Sequence, residues 1–94
     1  MADQEAPGDD GLLLRRKRAL YRAQHRGTKE MDWMLGRYAG QRLAEMSGDD
    51  LDIFEAFLEV GDPEINAWLF DPGQCDQSAF ATLVADIRSF NSLG

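Results

Sequence analysis

Cysteine and histidine are almost absent from this chain of 94 residues, which contains one of each, Cys75 and His25. One cysteine cannot form a disulfide within the chain, and one cysteine with one histidine cannot supply the usual ligands of a zinc site. Such a composition favours a reducing compartment, and we expect the protein in the cytoplasm. The sequence contains neither a recognisable Ser/His/Asp or Cys/His arrangement nor a glycine-rich phosphate loop, and it therefore predicts a protein that is not an enzyme.

Long apolar segments are also missing. No stretch of about 18 or more apolar residues occurs, so we expect no membrane span. The N-terminus, MADQEAPGDD, is acidic and lacks an apolar centre, unlike a secretory signal or a transit peptide. The formal net charge of −7 disfavours binding to nucleic acid or to an anionic membrane surface. A hydrophobic content of 44% fits one small globular domain.

The charges are unevenly distributed along the chain. Residues 15–42 hold nine of the ten bases and only two acids, whereas residues 43–94 hold 11 acids and one base. Two interpretations fit this division. Either the folded surface is bipolar and attracts a partner of complementary charge, or the two halves of the chain neutralise each other.

Helical periodicity predicts an all-α fold, a small bundle of five short helices in a single domain. Residues 1–11 are acidic and contain proline and glycine, so we expect a mobile tail there and a helical domain over 12–94. The predicted helices run from Leu12 to about His25, from about Lys29 to Met46, from Ser47 to just before Gly61, from Pro63 to just before Pro72, and from Ser78 to about Phe90.

Local signals mark several helix ends. Gly27 is expected to take a left-handed conformation after the first helix. Ser47 and Asp50 have the layout of a capping box, and Asp62 before Pro63 predicts an aspartate cap on the fourth helix. The third helix is apolar around most of its circumference, which predicts a central position in the bundle.

Basic residues are concentrated on the first helix, where Arg15–Arg18 are followed by Arg22 and Arg26. This run fits a nucleic-acid patch, a contact with a partner protein, or a solvated helix face. Tyr21 is alone among them, so the run offers no stacking platform for bases. His25 is expected to be a surface residue in the last turn of that helix.

The second helix carries Trp33, Gly36 and Gly40 on the side opposite its main apolar stripe. A glycine within a helix costs about 1 kcal/mol relative to alanine, and close approach of another backbone usually compensates for that cost. Trp33 therefore fits either internal packing or a contact with a partner.

The corner between the first two helices carries a recognisable motif. Arg26-Gly27-x-x-Glu30, followed by Asp32, resembles the RGxxE signature of the succinate dehydrogenase flavinylation factors, the SdhE-like assembly-factor family. A second segment, Asp62-Pro63-Glu64 with Trp68-Leu69, resembles the D-P-x-x-x-x-W-L segment of that family. The resemblance covers roughly residues 14 to 90 and is weakest in the loop 70–78.

The resemblance implies a small helical factor that binds the flavoprotein subunit of succinate dehydrogenase, and also that of the related fumarate reductase. Members of the family promote covalent attachment of FAD to a histidine of that subunit. FAD is then the cofactor of the partner, and we expect no stably bound cofactor in this chain, which should be a monomer when free. The partner-binding residues implied by the motif are Arg26, Gly27 and Glu30, with Tyr21, Arg22 and Asp32 as neighbours.

Three other functions fit parts of the sequence. One is an antitoxin-like or adaptor module that binds another protein through the same surface. Another is a small nucleic-acid-binding regulator that uses the basic first helix, for which binding would depend steeply on salt. The third is a flavin-binding enzyme, which would carry a yellow chromophore after purification.

Overall fold

The structure, a computed structural model, describes residues 7–71, 73, 75 and 78–93. These residues form five α-helices and one 3₁₀ turn and contain no strand, so the predicted all-α fold is confirmed. The elements are α1 (Pro7–Gln24), α2 (Lys29–Arg42), the 3₁₀ turn Leu43–Glu45, α3 (Gly48–Leu58), α4 (Asp62–Phe70) and α5 (Ser78–Phe90).

Helix α1 begins at Pro7 and not at Leu12, so residues 7–11 of the predicted tail belong to this helix. A proline at the first helical position followed by two aspartates in the first turn is a favourable helix start. That signal outweighs the glycines that follow Pro7. The remainder of the predicted tail, residues 1–6, lies outside the described residues.

Caps fix the ends of the middle helices. The hydroxyl of Thr28 accepts a hydrogen bond from the backbone N–H of Met31 at 3.1 Å, which caps α2. The predicted capping box of α3 is confirmed, since the Ser47 hydroxyl accepts from the Asp50 N–H and the Asp50 carboxylate accepts from the Ser47 N–H. Helix α2 ends at Arg42, and the predicted continuation to Met46 is instead a tighter 3₁₀ turn.

Helix α3 is central, as its apolar circumference predicts. It packs against α1 and α5, and Leu51, Phe54 and Phe57 are fully buried. The ring of Phe57 lies 6.2 Å from that of Trp68 in α4 and 5.5 Å from that of Phe80 in α5, between ring centroids. This aromatic cluster joins the last three helices into one core.

Ion pairs connect the basic first half of the chain to the acidic second half. They join Arg15 to Asp52 and Glu55, Arg22 to Glu59, Arg26 to Asp62, and Arg42 to Asp86. The interpretation that the two halves neutralise each other therefore holds for four arginines. The other exposed bases have no ion-pair partner among the described residues, and these are Lys17, Arg18, Lys29 and Arg37.

The helices are too short or too polar to cross a bilayer, a statement that covers the described part of the chain. The longest helix, α1, is also the most basic one.

Candidate functional site

Arg26 joins three helix ends at the corner between α1 and α2. Its Nη1 and Nη2 atoms donate to the carbonyl oxygens of Leu58 and Val60 at 2.8 and 2.9 Å, at the C-terminal end of α3. Its Nε donates to Oδ1 of Asp62, at the start of α4, at 2.7 Å. The Arg26 side chain is only 10% exposed, because these partners enclose its guanidinium. Its hydrogen bonds satisfy helix carbonyls that would otherwise lack partners.

Gly27 provides the space that this arrangement needs. Its backbone N–H donates to Oδ2 of Asp62 at 2.6 Å, and a Cβ atom at this position would also lie 2.6 Å from that oxygen. No described glycine has a positive φ angle, so the predicted left-handed conformation of Gly27 is wrong. The corner requires glycine because the Asp62 carboxylate occupies the place of a side chain.

Asp62 is not the cap of α4, contrary to the prediction. Gly61 is the N-cap residue, with φ −65° and ψ 149°, and Asp62 is the first residue of the helix. Its carboxylate bonds instead to the Arg26 side chain and to the Gly27 backbone. Both are charge-assisted hydrogen bonds, which are stronger than bonds between neutral groups.

The two acids of the motif have different surroundings. The Asp32 carboxylate accepts a hydrogen bond from the backbone N–H of Arg26, so it holds the corner from the α2 side. Glu30 is exposed, and it makes no hydrogen bond or ion pair with the residues that the structure describes. Both acids lie in the first turn of α2, where the helix dipole stabilises negative charge.

Tyr21 and His25 form the outer edge of the corner. Their rings are stacked with centroids 4.0 Å apart, and Nδ1 of His25 lies 2.7 Å from the backbone oxygen of Tyr21. Arg22, one turn before Arg26, pairs with Glu59 of α3. A shallow pocket of about 280 Å³ lies at this edge and is lined by Tyr21, Arg22, His25, Arg26, Gly27 and Asp62.

The structure thus brings four of the six predicted site residues together around one pocket. Glu30 and Asp32 lie outside it, on the first turn of α2. Asp62 and His25 also line the pocket, although sequence reasoning assigned them no binding role. No local sequence signal indicates the pairing of Asp62, because an aspartate before proline predicts a helix cap. A binding role for the six residues remains a prediction.

The corner is suited to recognition by shape and hydrogen bonding. His25 faces a tyrosine ring and a backbone carbonyl, and within the described part of the chain it bonds to no carboxylate of the kind that orients a general base. Among the described residues, no group of three His, Cys, Asp or Glu side chains is placed to hold a metal ion.

Trp33 lies on the surface, 57% exposed, with the guanidinium of Arg37 4.3 Å from its ring centroid. The internal-packing interpretation is therefore wrong for this residue. Close packing does occur at Gly36, where a Cβ atom would lie 3.1 Å from Cγ of Gln24 in α1. At Gly40 a Cβ would have no atom within 4 Å, so the glycine is not explained by close packing there.

The known proteins that resemble this chain are assembly factors for succinate dehydrogenase or FAD. Residues 17–91 match the profile of the family described as flavinator of succinate dehydrogenase. The FAD assembly factor SdhE of Acetobacter pasteurianus is 40% identical over 62 residues, which are 66% of this chain and 57% of that protein. The SdhE protein of Xylella fastidiosa strain 9a5c is 33% identical over 68% of this chain and 66% of its own length.

A mitochondrial relative matches less of its own length. Succinate dehydrogenase assembly factor 2 of Lodderomyces elongisporus is 33% identical over 58% of this chain and 34% of that protein. The chain thus spans between about a third and two thirds of the length of these relatives.

Proposed function

Because the chain belongs to the succinate dehydrogenase flavinator family, we propose that it binds the flavoprotein subunit of succinate dehydrogenase and promotes covalent attachment of FAD to that subunit. The observation that carries this proposal is Glu30, the exposed acid of the RGxxE motif, held beside a corner in which the other motif residues are already bonded within the chain. Glu30 is the part of the motif available to a second protein.

The motif divides into a supporting part and a presenting part. Arg26, Gly27 and Asp32 fix the path of the backbone through hydrogen bonds to α2, α3 and α4. Glu30 and the stacked ring of Tyr21 face solvent on either side of that rigid turn. A rigid turn loses little conformational entropy on binding, which favours recognition by a partner.

The proposed role needs no catalytic group from this chain. Holding a flavin and its acceptor histidine in a reactive arrangement lowers the entropic part of the barrier, and such positioning accelerates reactions by large factors. The factor stabilises that arrangement, and the bond between FAD and the histidine forms within the flavoprotein. We propose further that FAD stays with the partner, so that the purified chain shows no flavin absorbance, and that the flavoprotein of fumarate reductase is a second target.

The test is flavin attachment to the flavoprotein in the presence of Glu30→Ala, measured by in-gel flavin fluorescence. The substitution should reduce attachment while the fold is retained, because a first-turn carboxylate stabilises a helix by only about 0.3–1 kcal/mol. Asp49→Ala is the matched control, since Asp49 is an exposed first-turn acid of α3. If Glu30→Ala folds and supports attachment as well as Asp49→Ala does, the proposed role of this corner is wrong.

The nucleic-acid alternative has less support from the folded surface than from the sequence. Arg15, Arg22 and Arg26 each pair with a carboxylate of the second half of the chain. Their charges are therefore largely neutralised within the chain, which lowers the number of phosphates that this helix could neutralise.

A further inference from the structure

One face of α2 continues from Glu30 along the outside of the molecule. Glu30, Trp33 and Arg37 are spaced at i, i+3 and i+7, which places them within about 60° around the helix axis. All three are exposed. The buried residues of this helix lie on other sides of it, and they are Met31, Met34, Leu35, Gly36, Tyr38 and Ala39.

Arg37 is a positioned cation on this face. Its guanidinium lies 4.3 Å from the ring centroid of Trp33 and 5.6 Å from that of Phe90 in α5, and it pairs with no carboxylate among the described residues. Arg42, five residues further along, differs because Asp86 already pairs with it. Contact with two rings restricts the Arg37 side chain and leaves its N–H groups available to an acceptor.

We propose that Trp33 and Arg37 extend the flavoprotein-binding surface beyond Glu30, and that they dock on a carboxylate of the flavoprotein that stands beside an apolar patch. This inference rests on the proposed function. Arginine binds carboxylates through two parallel hydrogen bonds. Contact with apolar atoms of a partner removes the exposed tryptophan ring from water, which favours binding. Tryptophan and arginine are also the residues that most often dominate binding energy at protein interfaces.

The other features of this face favour a protein over a polyanion. Glu30 lies in the same stripe, and the net charge of −7 repels phosphate-rich surfaces. The Arg37 guanidinium lies over the Trp33 ring, and a single carboxylate next to apolar atoms is complementary to this pair. The surface therefore specifies an acidic side chain within a largely apolar contact.

The first measurement is the Kd between the full-length chain and the purified flavoprotein subunit. Trp33→Ala and Arg37→Glu should each weaken binding by at least about ten-fold, as expected for anchor residues of an interface. Phe70→Ala is the matched control for Trp33, because Phe70 is an aromatic residue exposed to a similar extent on α4. Lys17→Glu controls for Arg37→Glu, since it changes the net charge equally at an exposed base on α1. Both controls should bind within about two-fold of the unchanged chain.

A second measurement reports on Trp33 directly. The chain has two tryptophans, and Trp68 is only 5% exposed whereas Trp33 is mostly exposed. In a chain labelled with 5-fluorotryptophan, the ¹⁹F resonance of Trp33, assigned with Trp33→Phe, should change its chemical shift on binding more than that of Trp68.

The outcomes separate this inference from the proposed function. If Glu30→Ala weakens binding while Trp33→Ala and Arg37→Glu bind like their controls, the inference that Trp33 and Arg37 belong to the binding surface is wrong and the proposed function stands. If the unchanged chain does not bind the flavoprotein, the proposed function is wrong and the extended surface fails with it. Weakened binding by Trp33→Ala and Arg37→Glu with unaffected controls supports both.

Discussion

The carboxylate of Asp62 bridges Arg26 and Gly27, with one oxygen 2.7 Å from Nε of Arg26 and the other 2.6 Å from the backbone nitrogen of Gly27. The first two residues of the RGxxE motif and the aspartate of the later D-P segment are therefore one structural unit. A change at any of the three alters the same turn.

Asp62→Asn should destabilise the fold by about 2 kcal/mol, because hydrogen bonds to charged groups contribute roughly 1.5–3 kcal/mol and the amide cannot replace the ionic one. The free energy of unfolding from urea denaturation measures this. Glu59→Gln is the control. It removes the charge of the carboxylate that pairs with Arg22, and this ion pair is more exposed than that of Asp62, so the loss should be less than about 1 kcal/mol. Equal losses in the two variants would contradict the bridging role of Asp62.

Gly27→Ala should destabilise the fold by about 1–3 kcal/mol, because the new Cβ would overlap the Asp62 carboxylate. The comparison is Gly40→Ala, whose Cβ meets no atom within 4 Å and which should stabilise α2 by up to about 1 kcal/mol. Thermal or urea unfolding of both variants checks the opposite signs.

The overlap itself is tested by a double-mutant cycle. In an Asp62→Ala background, Gly27→Ala should cost much less than it does alone, because the overlapping oxygen is gone. An unchanged cost in that background would place the requirement for glycine elsewhere.

Tyr38 should make the protein sensitive to alkali. Burial and the 2.5 Å hydrogen bond that its hydroxyl donates to Asp86 raise the pKa of Tyr38 above its ordinary value of 10.0. Above about pH 10 the unfolded state loses this proton while the folded state keeps it, so stability falls as pH rises, by up to about 1.4 kcal/mol per pH unit. Urea unfolding at pH 9 and 11 should show a smaller fall in Tyr38→Phe than in the unchanged chain.

Phe57→Ala should cost about 3–5 kcal/mol, because it leaves a cavity at the centre of the aromatic cluster with Trp68 and Phe80. Phe70→Ala removes the same atoms from an exposed site and should change the free energy of unfolding by no more than about 0.5 kcal/mol. Circular dichroism during urea unfolding measures both. A small loss in Phe57→Ala would mean that α3 is not the centre of the core.

Most of the fold follows from local signals in the sequence. Ser47 caps α3 as its spacing to Asp50 predicts, because a cap depends on residues only three positions apart. The central position of α3 follows from its apolar circumference, except that Ile53 is partly exposed beside a groove with α5. Helix α1 starts five residues before its predicted start, because Pro7 and the two aspartates of its first turn favour a helix despite the neighbouring glycines.

The candidate site was harder to predict, because its geometry depends on contacts between distant parts of the chain. Nothing near Arg26 in the sequence indicates that its guanidinium binds carbonyl oxygens at Leu58 and Val60. For the same reason the conformation of Gly27 was predicted incorrectly. The motif locates the corner, but only the packing of α4 against it distinguishes bonded residues from exposed ones such as Glu30.

The partners of the Arg26 side chain all lie 32 to 36 residues further along the chain. During synthesis on the ribosome, the RGxxE segment therefore emerges well before the residues that give it its shape. A nascent chain that ends before Asp62 lacks the carboxylate that bonds Arg26 and Gly27, so the corner can take its final shape only after the start of α4 has been synthesised.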